Sequence, residues 1–154
     1  MSNLPSEDLL GNNIYHPMTT TTASQIAALI NTQNQLSAVY DATKVIKHAE
    51  RYIYELDDHS NIVGVVEMIP VQWYQCEICH LSVRIKRMGI GSRLLENALA
   101  LSMSLGARVA QCTIRDGNIE SSGLFIKNGF VATVSFQNSQ SGNQVSVYQK
   151  SLIP

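Results

Sequence analysis

The chain has 154 residues, 45% of them apolar, and a formal net charge of −1. That length suits one compact domain with a core that needs no disulfide or metal to hold it, and 11 Lys and Arg against 12 Asp and Glu exclude the basic stripe that nucleic-acid binding requires. No apolar run approaches the roughly 20 residues of a membrane-spanning helix. Residues 1–10 carry Pro5, Glu7 and Asp8 without the apolar centre of a secretion signal, and Cys76, Cys79 and Cys112 are an odd set for a disulfide framework. The expectation is a cytoplasmic, single-domain chain over residues 1–154.

Residues 1–17 are polar and broken by Gly11, Asn12 and Asn13, with a faint strand signal near Ile14. Residues 19–22 offer threonine caps for a helix through Ile30, with Ile26, Leu29 and Ile30 on one face. Asp41 caps a second helix in which Ala42, Val45, Ile46 and Ala49 form an apolar stripe. The period then changes. Residues 52–56 and 62–69 read as strands joined by Asp57-Asp58-His59-Ser60-Asn61, a hairpin that Pro70 ends, and 75–83 is a third strand. Residues 89–105 are the clearest helix, with Leu94, Ala98, Leu101 and Leu105 as its buried stripe and Gly106 as its C-terminal cap. A strand at 108–114, a short helix at 118–127 and a last hairpin of 130–136 with 145–152 complete the chain. This is an α+β order with one strand–helix–strand crossover, whose right-handed connection makes its two strands parallel.

Lys86-Arg87-Met88-Gly89-Ile90-Gly91-Ser92 lies between the third strand and the clearest helix. A helix N-terminus leaves backbone N–H groups unpaired and carries positive partial charge. Two glycines admit a ligand close to the backbone, so the segment is an anion site suited to a pyrophosphate. Lys86 and Arg87 add charge, and Arg93 lies one turn in. The plain alternative is a glycine-bearing loop that merely starts a helix. A dinucleotide fingerprint is disfavoured, because Leu94 stands where its third glycine belongs.

Cys76-Glu77-Ile78-Cys79-His80-Leu81-Ser82-Val83, then Lys86-x-x-Gly89-x-Gly91 and Ser92-Arg93-Leu94-Leu95, resembles the acetyl-CoA motif of the GNAT N-acetyltransferases, whose loop runs Arg/Gln-x-x-Gly-x-Gly/Ala. Asn118-x-x-Ser121-x-x-Leu124-Phe125-x-x-x-Gly129-Phe130 is similar to the family's Asn-x-x-Ala-x-x-Leu-Tyr-x-x-x-Gly-Phe. Residues 52–68, with Val63-Gly64, resemble the hairpin before the CoA strand, and the resemblance spans 20–151. It implies a three-layer GNAT-like fold: a mixed, mostly antiparallel sheet with one splayed parallel strand pair, flanked by helices. It also implies acetyl-CoA as cosubstrate, no metal, and a small-molecule or peptide amine as acceptor. Leu81, Ser82 and Val83 would run along the pantetheine arm like an added strand, with a backbone amide near Leu81 polarising the thioester carbonyl. The N–H groups of Lys86, Arg87, Met88, Gly89, Ile90, Gly91 and Ser92 would hold the pyrophosphate, and Asn118 and Phe125 would also lie at the cosubstrate. Family members often pair through their C-terminal strands, which makes a homodimer an expectation of the resemblance.

Acyl transfer to an amine needs a base for the ammonium and a route for the leaving thiolate. Glu77, at the start of the CoA strand, is the first candidate base, Glu67 the second and His80 the third; strand alternation sets Glu77 and His80 on opposite faces unless a bulge intervenes. Phe125 occupies the family's tyrosine position and has no proton to give. Tyr148 is then the candidate acid, and otherwise the thiolate takes a solvent proton. Without an acid, a domain that binds acyl-CoA and does not catalyse is a second reading. Cys76-Glu77-Ile78-Cys79-His80 also spells the Cys-x-x-Cys-His signature of covalent haem attachment, but it reads as a strand interior, and no second Cys/His pair stands at zinc-ligand spacing.

Overall fold

The computed structural model describes residues 17–34, 36 and 38–153; the strand expected near Ile14 lies outside them. Thr19 caps α1 (Thr20–Gln33) by accepting from the Thr22 N–H, and Ala23, Ile26, Ala27, Leu29 and Ile30 form its buried face. Asp41 caps α2 (Ala42–Lys47) in the same way, accepting from the Lys44 N–H at 2.8 Å. Between the helices Tyr40 is pinned to α1 by a pair of bonds, its N–H donating to Asn31 Oδ1 at 2.9 Å and its carbonyl accepting from Asn31 Nδ2 at 2.8 Å. The apolar stripe expected on α2 holds only in part: Val45 is buried, while Ile46 is 40% exposed. Six residues make less than two turns, and a 3₁₀ turn over Ala49–Arg51 takes the chain away.

β1 (Tyr52–Leu56) pairs antiparallel with β2 (Ile62–Val71), from Tyr52 opposite Glu67 to Leu56 opposite Ile62. Asp57 Oδ1 accepts from the N–H groups of His59 and Asn61, each at 2.9 Å, and closes the turn. Pro70 does not end β2, which runs on to Val71. Pro70 is exposed there, where a residue without an N–H is tolerated. β3 (Gln75–Val83) leads to α3 (Ile90–Ser104) and β4 (Val109–Arg115); α4 (Ile119–Lys127) precedes the hairpin of β5 (Val131–Gln137) and β6 (Gln144–Ser151). The six strands form a mixed sheet in the order β1-β2-β3-β4-β6-β5, flanked by helices, as expected. β3 and β4 are the parallel pair, with Gln75, Cys76 and Glu77 opposite Val109, Ala110 and Gln111, and both strands continue past that stretch.

Two compact units divide the described residues: one runs to Glu67 and includes His80–Asn97, the other comprises Met68–Cys79 and the chain from Ala98 onward. The first unit's core gathers α1, Tyr40, Val45 and Tyr52 with Ile62 and Val65. Along α3 the buried residues are Ile90, Leu94, Leu95, Ala98, Leu99 and Ser102. Leu105, expected on that stripe, is 62% exposed, because the helix has already ended. Gly106 at φ 91° donates to the Met103 carbonyl, and Ala107 to that of Ser102, the left-handed stop that its sequence position announced.

Gly64 sets how closely α3 approaches β2. A Cβ there would lie 2.7 Å from Ile90 Cγ2 and 2.8 Å from Leu94 Cδ1. Gly64→Ala is therefore expected to lower unfolding stability by about 1–3 kcal/mol through overpacking, read as a lower denaturant midpoint at unchanged m-value. A midpoint equal to wild type would show that the first turns of α3 yield without cost.

Candidate active site

In the first unit, residues 84–89 form an exposed loop into α3. Arg87 and Gly89 take left-handed backbones, φ 65° and 73°. The Arg93 N–H donates to the Gly89 carbonyl at 3.1 Å, the first bond of the helix, so the N–H groups of Ile90, Gly91 and Ser92 precede any helical acceptor. Of the nearby cations, Arg84 pairs with Asp57 at 3.2 Å. Arg93, one turn into the helix, makes a forked pair with Glu55, Nε at 2.8 Å and Nη2 at 3.1 Å. Lys86 and Arg87 are the exposed charges of the loop itself, beside Met88, which is 64% exposed.

Within β3 His80 takes a left-handed backbone, with φ 51°. Ser82, 1% exposed, explains how this is held: its Oγ donates to the His80 carbonyl at 2.9 Å and accepts from Asn34 Nδ2 at 2.8 Å. The Ser82 side chain is thus committed within the fold, and its neighbours Leu81 and Val83 are half-buried.

Glu67 is 4% exposed. Tyr40 donates its hydroxyl to Glu67 Oε2 at 3.1 Å, and the Tyr52 hydroxyl also bonds this carboxylate. Burial, and then the Glu67 charge, push the Tyr52 phenol far above its usual range. The His80 ring stands edge-on to Tyr40 at 5.2 Å, and the Lys44 ammonium lies 4.2 Å from the Tyr40 ring centroid. Burial holds His80 below its usual value, opposed by Glu67 and helped by Lys44. The second and third candidate bases therefore belong to one packed cluster, with Glu67 anchoring two tyrosines.

Glu77 belongs to the second unit and is differently placed. It is half-buried, and its Oε2 accepts from Gln111 Nε2 at 3.2 Å. Gln111 Oε1 in turn accepts from Gln149 Nε2 at 2.8 Å. Burial raises the Glu77 carboxyl above the usual range, and the Gln111 bond pulls the other way. The chain of amides lies along one face of β3, β4 and β6, in register at every step. Tyr148 is half-buried and pairs with Cys112. Strand alternation puts it on the face opposite Gln149, so the structure does not bring Tyr148 and Glu77 together. No signal in the sequence marked Gln111 or Gln149; alternation over 109–112 fixes their face only once the register is known.

Asn118 caps α4, accepting from the Ser121 N–H at 3.2 Å. Phe125 is 4% exposed, its ring edge-on to Phe130 at 5.0 Å, so this ring belongs to the packed interior of its unit. The Cys-x-x-Cys-His segment is strand: Cys76 is 1% exposed and Cys112 2%, and burial pushes both thiols up. A thioether-linked haem has no room at Cys76. Among the described residues no helix is long and apolar enough to cross a membrane.

The model of the acetyltransferase (GNAT) family matches residues 20–130. Solved structures share the architecture at low identity. Ard1 from Thermoplasma volcanium is 18% identical, with a TM-score of 0.75 over 90% of this chain and 97% of its own. The yncA protein from Salmonella typhimurium, solved with its cofactor acetyl-CoA, is 15% identical, with a TM-score of 0.76 over 90% and 92%. The ribosomal-protein-alanine N-acetyltransferase from Brucella melitensis is 18% identical, with a TM-score of 0.73 over 88% and 98%. A search of the curated proteins finds no match.

The His80 cluster makes a pH prediction. With its folded pKa below its usual value of 6.5, His80 binds a proton in the unfolded chain before it does so in the native one. Its contribution is therefore complete above that value and is lost as pH falls through and below it, at up to about 1.4 kcal/mol per pH unit. Denaturant unfolding across this range should show that slope in wild type and a flatter one in His80→Asn. Equal slopes would mean that His80 is protonated alike in both states.

Proposed function

Since the chain belongs to the GNAT acetyltransferase family, we propose that it transfers an acetyl group from acetyl-CoA to a primary amine of a small molecule or peptide by direct attack on the thioester. The observation that supports this most is the exposed, cationic loop of Lys86, Arg87 and Gly89, which delivers the first N–H groups of α3 directly after β3. A structural neighbour with the same architecture was solved with acetyl-CoA. Bound acetyl-CoA supplies an acyl group already activated as a thioester.

In this reading the backbone N–H groups of 86–92 and the Lys86 and Arg87 charges hold the pyrophosphate. Leu81, Ser82 and Val83 offer main-chain groups to the pantetheine arm, because the Ser82 hydroxyl is already engaged. The Leu81 amide receives the negative charge that develops on the thioester oxygen. Asn118, which caps the start of α4, lies toward the cosubstrate, and Phe125 supports the helix from the packed interior. Glu77 takes one proton from the alkylammonium, whose pKa is about 10.4, the freed lone pair attacks the thioester carbonyl, and the nitrogen loses its second proton to solvent as the carbon–sulfur bond breaks. Burial suits Glu77 to this, since a carboxyl raised toward neutrality is a stronger base. Phe125 carries no hydroxyl and Tyr148 lies on the other face, so the thiolate, with a pKa of about 8.5, leaves as the anion and is protonated by solvent.

Two measurements test this. Gly91→Val places a branched side chain where the phosphates meet the backbone, and calorimetry should register no acetyl-CoA binding at concentrations that saturate wild type; unchanged affinity would put the phosphates elsewhere. Glu77→Gln should lower kcat/KM by about 10²–10⁴-fold near neutral pH, with the deficit shrinking as rising pH frees the amine unaided. Rates that match wild type across pH would remove Glu77 from the reaction. Saturable acetyl-CoA binding without transfer to any polyamine, amino acid, aminoglycoside or peptide N-terminus would make the chain a binding domain instead.

A further inference from the structure

We propose that Gln111 and Gln149 are positioning residues that form an amide relay, aiming the Glu77 carboxylate and keeping it paired in both of its protonation states. The proposal deepens the reading of Glu77 as the base and rests on it for its catalytic meaning. Its geometry is independent of that reading.

The three side chains occupy one rung across three strands. Glu77 is opposite Gln111 in the parallel pair, and Gln111 is opposite Gln149 in the antiparallel pair. The bonds run in one direction, Gln149 Nε2 to Gln111 Oε1 at 2.8 Å and Gln111 Nε2 to Glu77 Oε2 at 3.2 Å. An ionised carboxylate only accepts, so Gln111 must turn its NH₂ toward Glu77. Its carbonyl oxygen then needs a donor, which Gln149 provides. Gln149 thereby fixes which end of Gln111 the carboxylate meets, without touching Glu77 itself.

When Glu77 has taken a proton it carries a donor. The same contacts survive if both amides turn over: the carboxyl O–H donates to Gln111 Oε1, and Gln111 Nε2 donates to Gln149 Oε1. Amide O and N are nearly equal in size, so the turn requires little repacking. A lysine or arginine at 111 would suit only the charged carboxylate, an acid only the protonated one, and leucine neither. In a half-buried site an unpartnered carboxyl group is costly, and the relay spares Glu77 that cost in either state. Few other groups compete for it. On its own strand Cys76 and Cys79 are thiols. From β4 Cys112 is a thiol pushed up by burial and then by the Glu77 charge. From β6 Tyr148 lies on the other face, and Lys150 is committed to the Asn128 carbonyl at 2.7 Å.

The test reads Glu77 directly and needs no turnover. The full chain is labelled at glutamate carboxyl carbons, the Glu77 resonance is assigned by its loss in Glu77→Gln, and it is titrated by NMR. Gln111→Met should raise the titration midpoint by about one pH unit, since a bond to the charged form is lost. Gln149→Met should raise it by a smaller but resolved amount although residue 149 makes no contact with Glu77. Gln149→Lys, which keeps a donor on Gln111 Oε1, should return the midpoint to the wild-type value or below. Should Gln149→Met not fold, Gln149→Asn, one methylene too short to reach Gln111, makes the same test. Midpoints unmoved in both Met variants would overturn the proposal. A shift in Gln111→Met with none in either 149 variant would also overturn it, reducing the relay to a single bond. The base reading fails separately: if Glu77→Gln acetylates at the wild-type rate, Glu77 is not the base, whatever the titration shows.

Discussion

A left-handed residue inside a strand is the constraint on which the candidate site depends. A non-glycine residue held at φ 51° costs about 1–3 kcal/mol, and such strain persists only where its surroundings impose it. At His80 they do so through Ser82, whose hydroxyl caps the His80 carbonyl and is itself held by Asn34. His80 falls between two stretches of β3. Before it, Gln75–Glu77 pair with β4 and present Glu77. After it, Leu81, Ser82 and Val83 lead to the cationic loop.

The two buried or half-buried glutamates of this region have opposite fates, and the reason is their partners. Glu67 is nearly inaccessible and accepts from two tyrosine hydroxyls. That arrangement ties Tyr40, itself bound to α1 through Asn31, to the sheet of its own unit. Glu77 has a single neutral amide partner and is only half-buried. Burial raises its carboxyl above the usual range, and the Gln111 bond opposes that shift.

Much of the fold was legible because local chemistry marks it. Thr19, Asp41 and Asn118 each cap the helix that follows, and Gly106 ends α3 with a positive φ. Where the reading went astray, a longer-range term decided. A stripe of Leu94, Ala98, Leu101 and Leu105 fits the helical period, but Leu105 lies beyond the last turn, and the buried face turned out to be Leu94, Leu95, Ala98 and Leu99. Pro70 looked like a terminator and sits in β2 all the same. The Arg93–Glu55 fork and the Gln149–Gln111–Glu77 chain join residues 34 to 38 positions apart. Polar side chains of ordinary strand and helix positions carry no mark of such pairing until register is fixed.

The charge layout shows why the pairing of Arg93 matters more than its energy. Exposed ion pairs contribute little stability, so the Asp57–Arg84 and Glu55–Arg93 pairs are poorly explained as struts. Their effect is to engage two of the cations around the loop. Four cations lie at 84, 86, 87 and 93; the end of β1 and its turn engage the first and the last. Lys86 and Arg87 stand exposed in the loop, next to the N–H groups that open α3. A helix N-terminus with cations beside it favours an anion, because its backbone donors are already oriented.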